Sequence, residues 1–152
     1  AVVSTDQTSM KPLSLTRLSD FRDILAAGPS YRRLRGRSLS IRELAGYPLI
    51  CLGRNTASYE FYNRLFAEHE TILEPAVEAA TTDQILPMIR YDLGLGFIPE
   101  SFAREALEQG EILALKLEEE IPCRHICLLK DKNRPLSTAA LELEKFILQS
   151  IR

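Results

Sequence analysis

The chain has 152 residues, 45% apolar and 26% charged, with 19 basic against 21 acidic side chains and a net charge of −2. That composition is soluble and globular, with enough chain to bury a core, and a pI near 5.8 argues against a stand-alone nucleic-acid binder, which carries a basic excess. No apolar run approaches the ~20 residues that span a bilayer, and three cysteines, an odd number, suit a reducing cytoplasm better than a disulfide framework.

The opening residues Ala1-Val2-Val3-Ser4-Thr5 read as a buried strand already under way, without the charged region or cleavage site of a signal peptide, so the chain reads as a fragment of something longer. Residues 10–18 read as irregular. The run 23–27 predicts a second strand, broken by Gly28-Pro29-Ser30 and followed by a basic loop carrying Arg32, Arg33, Arg35 and Arg37. Ser40 is placed to cap a short helix over 41–45, which Gly46 ends. Residues 48–52 form a continuous apolar strand, and Phe61, Tyr62, Leu65 and Phe66 lie at helical spacing on a helix over 57–70.

The alternation of strand and helix continues with a strand at 77–80, a helix over 82–93 stopped by paired glycines, a strand at 95–98 and a helix over 100–109 ended by Gly110. Pro87 lies too deep in its helix for the first turn, so it is expected to remove a backbone hydrogen bond and kink the helix. Residues 112–117 and 124–129 are the last strands, and Ser137 caps a closing amphipathic helix with Leu141, Ile147 and Leu148. This is α/β architecture.

Two helix starts could receive a ligand. In open α/β sheets ligands bind beyond the carboxyl ends of strands, where helix N-termini supply free N–H groups and a positive dipole. In Gly53-Arg54-Asn55-Thr56-Ala57-Ser58, Asn55 or Thr56 would cap the helix and Arg54 adds a guanidinium suited to a carboxylate. With Thr56 as the cap, Tyr59 occupies the capping-box position, so no reciprocal bond forms and the first-turn donors are freer for a ligand. The ordinary reading, a capped helix beside a solvated arginine, weighs about equally. In Thr81-Thr82-Asp83-Gln84, Thr81 and Gln84 fit a capping box and Asp83 already sets a negative charge at the helix start, so an anion there competes with Asp83, although the Thr82 hydroxyl could still face a cleft.

Other chemistry is weaker. Cys123 and Cys127, on one face of a strand with His125, lie ~13 Å apart at ~3.3 Å per residue, and one zinc with ligands at ~2.0–2.3 Å cannot collect all three. Buried thiols beside a semi-exposed histidine is the better reading, and no metal is expected. No G-x-S-x-G, G-x-x-x-x-G-K-[ST] or H-E-x-x-H motif is present. Gly94-x-Gly96 follows a helix instead of preceding one, the wrong order for a dinucleotide fingerprint. Asp83 and Asp92 would sit ~13 Å apart along one helix, too far for an acid/base pair. No catalytic residue and no cofactor is expected.

The segments Ser38–Leu44 with Tyr47–Ile50, Asp92–Pro99, Gly110–Leu115, Pro122–Leu128 and Arg134–Ala140, in that order, resemble the effector-binding domain of LysR-type transcriptional regulators. Ser38-Leu39-Ser40-Ile41-Arg42-Glu43-Leu44 with Tyr47-Pro48-Leu49-Ile50 resembles that family's helix and strand leading into its second lobe, and Asp92-Leu93-Gly94-Leu95-Gly96-Phe97-Ile98-Pro99 its hinge and strand. Gly110-x-Ile112-x-x-Leu115, Pro122-x-x-x-Ile126-x-Leu128 and Arg134-Pro135-Leu136-Ser137-x-Ala139-Ala140 resemble the closing strands and last helix.

The resemblance implies a type 2 periplasmic-binding-protein-like fold, with one complete α/β lobe plus a partial second lobe. Residues 1–22 and 130–152 would be the remnant of lobe 1, and 23–129 the crossover strands and lobe 2. The effector, a small molecule and expected to be an anion, would meet Arg54, Asn55, Thr56, Thr82, Gly94, Gly96 and Phe97, with Ser4 and Thr5 facing them. The full-length protein would be a homodimer or tetramer, with helix 57–70 and strand 77–80 as interface candidates. DNA would be bound only through an N-terminal helix-turn-helix that this chain lacks. A solute-binding protein of a transport system is the alternative with the same fold.

Overall fold

Apolar runs without polar alternation predict strands covered on both faces, and the computed structural model, which describes residues 2–4 and 13–150, puts them at the centre of a six-stranded sheet. In chain order the elements are β1 (Val2–Ser4), β2 (Leu13–Phe21), β3 (Asp23–Ala27), a 3₁₀ helix (Pro29–Leu34), β4 (Ser38–Leu39), α1 (Ile41–Leu44), β5 (Leu49–Leu52), α2 (Ala57–Glu68), β6 (Val77–Ala79), α3 (Thr82–Arg90), β7 (Leu95–Pro99), α4 (Glu100–Glu108), β8 (Leu113–Leu117), β9 (Arg124–Asp131) and α5 (Thr138–Ser150). They form two units, Arg22–Cys123 and, separately, Ala1–Phe21 with Arg124–Arg152.

In the Arg22–Cys123 unit the sheet order is β4-β8-β3-β7-β5-β6. β5 runs parallel to β6 and to β7, while β3 is antiparallel to β7 and β8. Side chains alternate between the faces. Leu25, Leu49, Cys51, Leu95 and Phe97 enter one apolar cluster with Tyr62, Leu65 and Phe66 of α2. Ala26, Ile50 and Ile98 enter the other, with Ile85 and Ile89 of α3 and Ala103 and Ala106 of α4. Each fully buried Phe66 or Ile89 contributes on the order of 1.5–3 kcal/mol. Phe97 stacks on Tyr62 with centroids 4.3 Å apart.

The paired glycines serve this packing. A Cβ at Gly94 would lie 2.4 Å from the Pro48 carbonyl oxygen, where β5 and β7 begin side by side, and one at Gly96 would lie about 3 Å from Ile85 and Ile89. They do not stop α3, which ends at Arg90, short of 93. Asp92 takes a left-handed conformation (φ 61°), and the amides of Asp92 and Leu93 bond back to the carbonyls of Ile89 and Met88, 3.0 Å each. That is a Schellman closure. α2 closes in the same way at Glu70 (φ 55°) and α4 at Gly110. α3 runs through Pro87, whose missing N–H leaves the carbonyl of exposed Asp83 without its helical partner.

In the other unit β9 is the middle strand, antiparallel to β1 and β2. Residues 10–12 lie outside the described set, but from Leu13 the stretch expected to be irregular is a nine-residue strand, bulged between Arg17 and Ser19. Its exposure hides the period-2 signal: the bulge shifts the alternation midway, and both faces carry polar side chains. Ser137 caps α5, accepting the Ala140 amide at 3.3 Å. Between β9 and α5 lies an apolar cavity of about 260 Å³, lined by Leu128, Leu129, Leu136, Ala140, Leu143 and Ile147, beside a Lys130–Glu144 ion pair of 2.6 Å.

Candidate functional site

The carboxyl ends of the neighbouring parallel strands β5 and β6 each lead directly into a helix, so the starts of α2 and α3 share one edge of the sheet. Leu52 pairs with Ala79 in register, and the Gly53 amide bonds to the Ala79 carbonyl at 3.1 Å, tying the two loops together. Arg54, Asn55 and Thr56 lie on the first loop, and Thr82 opens the helix on the second. The structure therefore brings these four expected residues to the same place.

The Thr56 hydroxyl donates to the Gly53 carbonyl at 2.8 Å and accepts the Tyr59 amide at 3.1 Å. It is the cap, as its position predicts, and one first-turn donor is consequently taken. Arg54 is exposed, but its Nε reaches Glu78 Oε1 at 3.2 Å. Sequence reading missed Glu78, which lies opposite Cys51 in the β5–β6 register. A charged residue inside an otherwise apolar strand was the available signal.

The start of α3 differs from expectation. Thr81 makes no side-chain cap bond, and Gln84 reaches past it to accept the Ala80 amide at 2.9 Å. The expected capping box does not form, because glutamine closes on the residue before the cap. Asp83 stands exposed in the first turn and Thr82 is half-buried.

The remaining expected residues are not with these. β7 runs parallel to β5 and Leu95 pairs with Leu49, so Gly94 lies at the amino edge of the strands, ~16 Å of strand from the Gly53 edge at ~3.3 Å per residue. Gly94, Gly96 and Phe97 are buried, against Pro48, against α3 and against Tyr62 respectively. Ser4 closes β1, and its side chain lies outside the described residues, as does Thr5.

Burial, and secondarily the Glu78 charge, pushes the Cys51 thiol on β5 up to about 12, so it stays a neutral apolar filler instead of a nucleophile. Among the candidate metal-ligating residues, Cys127 is buried and Cys123, expected buried, is exposed. His125 Nδ1 lies 2.9 Å from Asp20 Oδ1, and the Arg17 and His125 contacts hold the Asp20 carboxyl below its usual range. The edge at Arg54–Thr56 and Thr82 thus offers helix-start amides, a hydroxyl and a guanidinium. These are groups of the kind that bind anions, and among them there is no nucleophile–base pair.

The family model described as LysR substrate binding domain matches residues 1–152. The regulatory domain of CcmR from Synechocystis PCC6803, solved in complex with 2-PG, is similar with a TM-score of 0.80 at 15% identity, over 99% of this chain and 73% of that one. The effector binding domain of QuiR in complex with shikimate is similar at 0.78 and 17% identity, over 98% and 70%. Full-length HypT from Salmonella typhimurium, a hypochlorite-specific LysR-type transcriptional regulator, is similar at 0.75 and 16% identity, over 97% of this chain and 50% of that one. No curated protein matches. The fold is that of LysR substrate-binding domains, a mixed α/β, type 2 periplasmic-binding-protein-like architecture. No helix among the described residues is long and apolar enough to cross a membrane.

Proposed function

Because the chain belongs to the LysR substrate binding domain family, we propose that it is the effector-sensing module of a cytoplasmic LysR-type transcriptional regulator, taking a small anionic molecule and doing no chemistry on it. The observation that carries this reading is the family match along the whole chain. The solved relatives with 2-PG and shikimate support a small-molecule ligand. The cation and helix-start donors at Arg54, Asn55, Thr56 and Thr82 support an anion. Gly94, Gly96 and Phe97 support the site through packing of β7, and Ser4 and Thr5 rest on the resemblance alone.

In this reading residues 1–22 and 130–152 belong to lobe 1 and 23–129 to the crossovers and lobe 2, and the effector changes the relative population of regulator states. The full-length regulator pairs through α2 and the sheet edge β6, whose outer backbone groups face no strand among the described residues. Glu78 sets the threshold for binding, since an incoming anion must share or displace its hold on Arg54.

Calorimetric titration of the chain with shikimate and with a panel of small carboxylates and phosphate esters tests the proposal. The best binder should lose about tenfold or more in affinity in Arg54→Ala, as for one charge-assisted contact. Equal affinities would remove Arg54 from the site, and a panel with no binder would remove the anionic effector.

A further inference from the structure

Residues 24–42 hold five arginines (Arg32, Arg33, Arg35, Arg37 and Arg42) and no acid, while the rest of the chain is net acidic. The fold presents this stretch on a firmly held turn. Pro29 opens the 3₁₀ helix Pro29–Leu34. The Asp92 carboxylate accepts the Ser30 amide at 2.9 Å and the Ser30 hydroxyl at 2.7 Å. Leu34 is 1% exposed and Tyr31 packs on the same core. The Arg35 amide closes on the Arg32 carbonyl at 3.0 Å and Gly36 turns the chain at φ 81°.

Arg37 pairs with Glu43 and Arg42 with Glu70. Arg32, Arg33 and Arg35 are exposed, and among the described residues no carboxylate pairs with any of them. Leu34 is turned inward, and the three arginines around it are all exposed. Arg32 lies in the last turn of the 3₁₀ helix and Arg35 caps it three residues on, about 6 Å further along the axis.

We propose that the Arg32–Arg33–Arg35 turn is a sequence-independent contact for the phosphate backbone of duplex DNA. Three exposed guanidinium groups on one short turn suit a ligand that repeats its charge, as DNA does about every 1.7 Å of axis. Guanidinium forks match phosphate oxygens in pairs. This departs from the expectation that DNA is bound only through the helix-turn-helix: reading of DNA sequence would stay there, and the turn would add a positioning contact. The choice of DNA over another polyanion rests on the regulator reading. The contact itself needs no effector, so it fails or stands independently of Arg54.

Fluorescence anisotropy of a labelled ~30-bp duplex, titrated with the 152-residue chain between ~20 and ~100 mM salt, should give weak binding with a slope of log K on log salt of about −2.7 for three phosphates. R32E/R33E/R35E should lose that binding at least about tenfold, whereas R32K/R33K/R35K should keep the slope and lose only part of the affinity. Peptide amide resonances shifted by DNA should cluster at residues 30–37. Three outcomes would overturn the proposal: no binding at the lowest salt, equal binding by the glutamate variant, or competition by poly-glutamate as effective as by DNA of equal charge. The last would mark a site for acidic protein segments.

Discussion

The two units bury their helices to very different degrees. In Arg22–Cys123 the sheet is covered on both faces, with Phe66 of α2 and Ile89 of α3 wholly inside. In the other unit α5 buries no side chain, and Leu143 and Phe146 stand 59% and 68% exposed. A helix can thus be fixed by packing, or by its cap and a shallow apolar contact with one strand. The first kind tolerates almost no change of volume, and the second tolerates a great deal. The helix starts proposed to meet the effector belong to α2 and α3, which have the first kind of support.

The sharpest way to break this contrast is Gly94→Ala. Its methyl group would lie 2.4 Å from the Pro48 carbonyl, beside the 2.8 Å bond from the Leu95 amide to that same oxygen. Backbone cannot yield there without opening the β5–β7 pair. We expect a loss of roughly 3 kcal/mol in denaturant unfolding, the upper end of overpacking costs. A loss under ~1 kcal/mol would mean that the strands are less tightly fixed than their contacts imply.

Cys51 sharpens the comparison through pH. Its folded value, near 12, exceeds that of an exposed thiol at ~8.5, burial being the larger cause and Glu78 the lesser. The folded state therefore holds its proton where the unfolded chain releases it. The thiol's contribution is complete below about pH 8.5 and is lost as pH rises toward 12. Urea midpoints measured across this alkaline range should fall less steeply in Cys51→Ala than in the wild type, and parallel curves would contradict a buried neutral thiol.

Asp92→Ala probes a smaller term, the joint between the 3₁₀ helix and the end of α3. It removes both Ser30 bonds and leaves alanine at φ 61°. A loss of about 1–2 kcal/mol is expected, in the range of a lost cap. Asp92→Gly should recover part of it, because glycine adopts the left-handed region without strain. If the two variants unfold at the same midpoint, backbone conformation contributes nothing at this site.

These particulars also show what could be read from the chain. The alternation of elements, the Ser40, Thr56 and Ser137 caps and the apolar strands 49–52 and 95–98 follow from local propensity and burial, which the residue pattern encodes directly. The end of α3 does not: glycine at 94 suggested a stop, yet Asp92 takes the left-handed position and Gly94 answers to Pro48, a contact across strands far apart in the chain. β2 was hidden because half its residues face solvent and the bulge after Arg17 breaks its period. At the candidate site, Arg54 and Thr56 were legible as loop chemistry after a strand. Glu78, which holds Arg54, becomes its neighbour only through the β5–β6 register.

The smallest effect belongs to α5. Leu143→Ser with Phe146→Ser removes two large apolar side chains, which in α2 or α3 would cost several kcal/mol. Here most of that surface is already in water, so little transfer free energy is lost, and serine's helix propensity, lower than leucine's but similar to phenylalanine's, adds only a little at 143. Leu143 still lines the cavity against β9, so its part should exceed that of Phe146. We expect the double variant to lower stability by about 1 kcal/mol or less in the same denaturant titration. A loss of ~3 kcal/mol, equal to the core response, would show that this helix is packed as tightly as α2 and would erase the distinction between the two units.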